Sequence, residues 1–172
     1  MMLKSKKKVS FIYYEERAKL LTSLYKNLSL YYSEMANLLT HFEALTEQVF
    51  SNSDSVEIMY RNISIYRKQV DEEVLYARLY LNDDESNELM VFHQKLARIS
   101  NGIVDIYFEH KNLREEYKDK EKNDSLQIMF MGEFSEVVKR NKVEQALDFL
   151  YEEGQENIES LKAVLKKTLV EN

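Results

Sequence analysis

Residues 87–117 read NELMVFHQKLARISNGIVDIYFEHKNLREEY. Leu89, Leu96, Ile103, His110 and Tyr117 recur at every seventh position, and Phe92, Ile99, Ile106 and Leu113 interleave three residues behind them. A repeat of 3.5 residues nearly matches the α-helical turn, so these side chains fall on one face. The stretch predicts a helix over about 84–119. It ends in the charged run Lys118-Asp119-Lys120-Glu121-Lys122-Asn123.

The same pattern extends to both sides. Upstream, Tyr14, Leu21, Leu28, Met35, Phe42 and Val49 form one row and Leu24, Tyr31, Leu38 and Leu45 a second, with Arg17 its only misfit. Ala18, Tyr25, Tyr32 and Leu39 widen that stripe. This gives a helix over about 10–50, for which Lys26-Asn27-Leu28-Ser29 is the expected kink. Ser51-Asn52-Ser53-Asp54-Ser55 breaks the pattern, and Asp54 with Glu57 has the spacing of a capping box. A helix over about 54–82 follows, with Val56, Met59, Ile63, Tyr66, Val70, Val74, Ala77 and Leu81 on one face. Asn82-Asp83-Asp84-Glu85 breaks it and brings negative charge to the next helix start, where the helix dipole favours it.

Downstream, Asp124 and Gln127 repeat the capping spacing and open a segment over about 124–170. Its apolar face runs through Leu126, Phe130, Phe134 and Val137, then Val143, Leu147 and Leu150, then Ile158, Leu161, Leu165 and Leu169. Interruptions at Lys139-Arg140-Asn141-Lys142 and at Gly154 predict a bend or break near 139–142 or 154.

Composition agrees with an all-α chain. There is no proline in 172 residues and there are only three glycines, Gly102, Gly132 and Gly154. Proline interrupts helices, and glycine costs about 1 kcal/mol inside one. The expected architecture is an elongated antiparallel bundle of four long helices with coiled-coil-like heptad seams, because short connections reverse the chain. Residues 1–9 read as a basic, disordered tail and 10–172 as a single helical domain. Unequal helix lengths leave apolar overhang, which argues for self-association into a dimer or larger assembly.

The charge pattern narrows the function. The net charge is −6, and Lys4, Lys6, Lys7 and Lys8 lie in an N-terminal stretch without acids, so the rest of the chain carries −10. An acidic body does not suit general nucleic-acid binding, which rests on neutralising phosphates. No apolar run is long enough to span a bilayer. The absence of cysteine excludes disulfides, thiolate metal sites and a cysteine nucleophile, and fits an intracellular, cytoplasmic protein.

Catalytic constellations are missing. A bundle-type di-metal site needs carboxylates three residues before histidines, but Leu38, Met90 and Tyr107 precede His41, His93 and His110. No His-x-x-x-His pair occurs, and the glycines lie too far apart for a phosphate loop. Three titratable residues invite scrutiny. His110 lies on the seam, where a hydrogen-bonded core histidine is expected. Glu73 faces inward, and a hairpin of the second and third helices brings His93 within about a turn of it, as an acid/base pair or a rim salt bridge. Asn27-Leu28-Ser29, Asn62-Ile63-Ser64 and Asn123-Asp124-Ser125 match the glycosylation triplet, and chance accounts for them.

These observations favour a non-enzymatic helical scaffold or chaperone-like module for a protein partner or a second copy of itself. It needs no cofactor and no small-molecule substrate. Met129, Phe130 and Met131 are the candidate partner groove, since methionine adapts to irregular apolar surfaces. The alternative is a peripheral membrane protein held to an anionic surface by Lys4, Lys6, Lys7 and Lys8, with Lys139, Arg140 and Lys142 as a further patch. An enzyme with an unfamiliar site at Glu73 or His110 is the third reading.

Overall fold

The computed structural model describes residues 2–46, 53–117 and 124–170, with side chains over 12–46, 55–117 and 125–167. The chain is all-α, and no strand occurs among the described residues. α1 spans Met2–Ala44, α2 Ser53–Ala77 and α3 Asp83–Tyr117; α4 spans Asp124–Arg140, α5 Val143–Phe149 and α6 Gln155–Val170. A π-helical turn, Leu150–Gly154, joins α5 to α6. No helix of the described residues is long and apolar enough to cross a membrane.

The heptad rows are the core. In α1 both rows are buried from Leu21 to Leu45, while Tyr14 and Arg17 are half-buried and Val49 lies outside the described residues. Leu89, Phe92, Leu96, Ile103, Ile106, His110 and Tyr117 of α3 are buried as well. α1 is the central element, packed along α2 and against α6, α3 and α5. The contacts have an order. Ser23 and Asn27 of α1 meet Glu73 of α2, and Glu34 meets Asn62. His93 meets Asp71, and Tyr107 meets Tyr60. Tyr117 meets Glu133, Glu109 meets Arg140, and Lys95 meets Glu153.

Several boundaries differ from the sequence reading for identifiable reasons. α1 starts at Met2, so residues 2–9, expected as a separate disordered tail, continue its backbone; no glycine or proline intervenes. α1 also runs through 26–29 without a break. Asn27 donates to both Glu73 carboxylate oxygens at 2.9 and 3.0 Å, and the Ser29 hydroxyl donates to the Tyr25 carbonyl at 2.7 Å. Those polar groups are satisfied without opening the helix. α1 ends at Ala44 rather than 50, where the Thr46 hydroxyl and N–H both donate to the Glu43 carbonyl. α2 closes at Ala77 rather than 82, in tight turns in which Leu79 and Tyr80 donate to Tyr76 and Ala77.

A capping box forms between Asn82 and Glu85. The Glu85 N–H donates to Asn82 Oδ1 at 2.9 Å, and the Asn82 N–H donates to Glu85 Oε2 at 3.1 Å. Glu57 instead accepts from the Tyr107 hydroxyl, and the Asp54 side chain lies outside the described residues.

The last segment is interrupted at both suspected points. At 141–142 the chain leaves helical geometry, with Lys142 left-handed at φ 54° and ψ 44°. Asn141 caps α4, its side-chain and backbone N–H groups both donating to the Val137 carbonyl. At 150–154 the cause is Tyr32. Its hydroxyl donates to the Leu150 carbonyl, and its ring lies where a Gly154 Cβ would stand 2.8 Å away. The wider π turn and the glycine together admit the ring.

Candidate functional site

The residues singled out for chemistry are used structurally. Glu73 and His93 do not pair. Glu73 faces α1, accepting from Ser23 at 2.5 Å and from Asn27, whereas His93 Nε2 lies 2.6 Å from Asp71 Oδ1. Arg67 extends that α2–α3 contact, donating to Asn101 Oδ1 at 2.8 Å and to the Ser100 hydroxyl at 3.3 Å. The Tyr31 hydroxyl is buried beside Ser100 and Arg67, and burial pushes its pKa up. This network bridges three helices.

His110 is buried among Phe42, Phe130 and Phe134, with ring centroids at 6.0, 6.2 and 5.2 Å. Burial, with Arg114 and His41 adding to it, lowers its pKa to about 4. It is a neutral core histidine at neutral pH. Tyr107 stacks on Tyr60 at 3.8 Å and donates to Glu57. Burial and that hydrogen bond push its pKa up to about 12. Among the described residues no three His, Asp or Glu side chains gather to hold a metal.

Met129, Phe130 and Met131 do not form one surface. Phe130 is core, Met131 half-buried and Met129 exposed, as a helical turn dictates for three consecutive residues. The backbone of Lys4, Lys6, Lys7 and Lys8 lies in α1, and their side chains lie outside the described residues. Asn27 and Asn62, the described glycosylation triplets, spend their amides on Glu73 and Glu34.

An open groove lies elsewhere, between α3 and the stretch from the 141–142 turn through α5. Its volume is about 510 Å³. Ile99, Ile103 and Ile106 form one wall and Ala146 and Phe149 the other, above Leu39 of α1. Lys95, Arg98, Gly102, Asn141, Lys142 and Gln145 complete the lining, which contains three cations and no carboxylate. Lys95 is held at one end by Glu153 at 2.5 Å and lies 5.0 Å from the Phe149 ring centroid. Arg98 and Lys142 are exposed and enter no ion pair among the described residues. Past Lys142 and Gln145 a second hollow of about 320 Å³ continues towards Glu43 and Ser135. The hollow near Leu89 and Leu161 is only about 30 Å³, enough for a water or two.

Two residues of the groove contradict their local backbone. Gly102 sits in the interior of α3, where glycine costs about 1 kcal/mol relative to alanine. An added Cβ there would meet nothing within 4 Å, so no close helix approach requires the glycine. Lys142 occupies the left-handed region, which costs a residue with a side chain roughly 1–2 kcal/mol and which glycine adopts freely. It is the only residue other than glycine with positive φ among the described residues.

Sequence reasoning did not assemble this site, although the basic run 139–142 and the interior Gly102 were both visible. Comparison of the chain with protein-family models, with curated proteins and with solved structures gives no match in any of the three.

Proposed function

We propose that this chain is a non-enzymatic helical interaction module that holds an apolar segment of a protein partner in the α3–α5 groove. The observation that carries the reading is the groove itself, with apolar residues in both walls and cations at its edges on an otherwise acidic chain. Open, mostly apolar concavities with a few convergent polar groups are the usual form of a binding site. In its support, Glu73 and His93 each bond a neighbouring helix rather than each other.

The proposed architecture is an antiparallel bundle of four helical segments with coiled-coil-like seams. In its favour, partners that rise in number along one helix fall along the next, as in Ser23 with Glu73 and Glu34 with Asn62. Self-association is part of the proposal. Ile58 and Ile65, seven residues apart, are exposed on the outer side of α2, with exposed Leu75 and Tyr76 near its end and exposed Leu79 in the turn that follows. Small-angle scattering from a sizing column tests it: a dimer that Ile65→Glu with Leu79→Glu dissociates is expected, and a 20.5 kDa monomer at all concentrations refutes it.

The groove reading has its own test. An apolar anionic dye such as anilinonaphthalene sulfonate should brighten on binding the native protein and lose most of that signal in Gly102→Phe. Equal signal from both proteins would refute the groove.

A second reading, contact with an anionic membrane, draws on the placement of Lys4, Lys6, Lys7 and Lys8 within two turns of helical backbone. Each lysine at such a surface contributes about 1 kcal/mol. Co-sedimentation with phosphatidylserine vesicles that disappears on deleting residues 1–8 is expected, and undiminished binding refutes this mode.

A further inference from the structure

We infer that the occupant of the α3–α5 groove is an acidic amphipathic α-helix about three turns long, presented by a partner protein. This rests on the reading of the groove as a binding site and adds the chemistry and length of what binds.

The length comes from α3. Lys95 and Ile106 mark the ends of its wall, eleven residues apart, which at 1.5 Å per residue is about 16 Å or three turns. A helix laid there places apolar side chains spaced at three, four and seven residues onto Ile99, Ala146 and Phe149, the half-buried apolar residues of the lining, the usual geometry of a helix in a groove.

The charge comes from the walls. Arg98 on α3 and Lys142 on the opposite lip are exposed cations without a partner carboxylate among the described residues. Lys95 shows what such a wall accepts, since Glu153 already occupies it at one end. An occupant whose apolar stripe is flanked by carboxylates meets cations on both sides, while a basic one meets like charge.

Independent support comes from the two residues that break their local rules in opposite senses. α3 carries a glycine where a side chain would favour the helix, and the absent side chain leaves one wall open. The 141–142 turn carries a lysine where glycine would favour the backbone, and the retained side chain puts a cation on the facing lip. No close contact requires the glycine at 102, as is also true of Gly132 in α4, but Gly102 and Lys142 face each other across one groove. Places where a sequence contradicts its own fold are where function is expected to reside.

The test uses the full chain and a fluorescein-labelled synthetic helix of about fourteen residues, with leucines on one face and flanking glutamates. A counterpart carries lysine for each glutamate. Fluorescence anisotropy should show saturable binding of the acidic helix, weakened by raising the salt from 50 to 500 mM. Lys142→Gly and Arg98→Glu should each weaken it about fivefold or more, although Lys142→Gly should raise Tm by about 2–4 °C. Gly102→Phe, which fills the space beside that wall, should abolish binding. Thermal unfolding of each variant identifies any that fails to fold, and the Lys142→Gly result stands even if Gly102→Phe does not fold.

Equal binding of both helices, lost together in Gly102→Phe, would overturn the acidic occupant and leave the groove reading standing. Binding of the acidic helix unchanged in Gly102→Phe and Lys142→Gly would overturn the groove as well. Binding of dodecanoate with no binding of either helix would replace the peptide with a small amphipathic anion and overturn the proposal.

Discussion

Acidification should destabilise this protein through one side chain before its carboxylates titrate extensively. His110 has a pKa lowered from 6.5 to about 4, chiefly because its ring is buried, with the charges of Arg114 and His41 reinforcing the effect. Its folded-state pKa therefore lies below its unfolded value, and between pH 6.5 and 4 the unfolded chain binds a proton that the folded chain excludes. Stability rises with pH across that window and is flat above it, with a limiting slope of about 1.4 kcal/mol per pH unit. The loss is about 1 kcal/mol at pH 5.5 and about 2–3 kcal/mol at pH 4.5, a large share of the stability of an ordinary domain. His41, also lowered by burial, adds to the slope in the same direction. Urea unfolding followed by circular dichroism at pH 7.5, 6.5, 5.5 and 4.5 measures it. His110→Leu, an apolar replacement among three phenylalanine rings, should leave stability at pH 7.5 within about 1.5 kcal/mol and remove most of the acid limb. Parallel pH profiles for the two proteins would refute the reasoning, because the limb would then arise elsewhere.

Other perturbations follow from particular contacts. Gly154→Ala places a methyl group 2.8 Å from the Tyr32 ring and should cost about 1–3 kcal/mol; pairing it with Tyr32→Leu should recover part of that, as a double-mutant cycle in denaturant would reveal. Asn82→Ala removes half of the capping box at the start of α3 and should lower stability by about 1 kcal/mol in urea unfolding. Glu73→Ala leaves Ser23 and Asn27 without their acceptor in the α1–α2 contact, with an expected loss of about 1–3 kcal/mol in the same assay.

Much of the fold is legible in the sequence because burial and helical period are coupled. The rows through Leu89, Leu96 and Ile103, and through Leu21, Leu28 and Met35, are apolar for the same reason that they are buried. His110 belongs to such a row, so its core position could be read despite its polarity. Both interruptions of the last segment were visible as a polar run and a glycine. What failed depended on direction around a helix. Asp71 and Glu73 are two residues apart, about 200° around α2, so when Asp71 reaches His93 on α3, Glu73 must turn towards α1. The kink expected near Asn27 failed for a related reason, since its polarity serves Glu73 rather than a turn. The groove was not legible at all as a site. Its walls lie about forty residues apart in the chain, and one of them follows a left-handed turn at Lys142 that helical periodicity does not foretell. Only the two misfit residues, Gly102 and Lys142, left a trace of it.

The most direct measurement of the central claim is amide chemical-shift mapping by NMR while the acidic synthetic helix is titrated into the labelled full chain. Shifts concentrated in residues 95–106 and 141–149, with the amides around Ile58, Ile65 and Leu79 unmoved, are the predicted result. Shifts confined to that outer side of α2, or none anywhere at saturating peptide, would contradict the account.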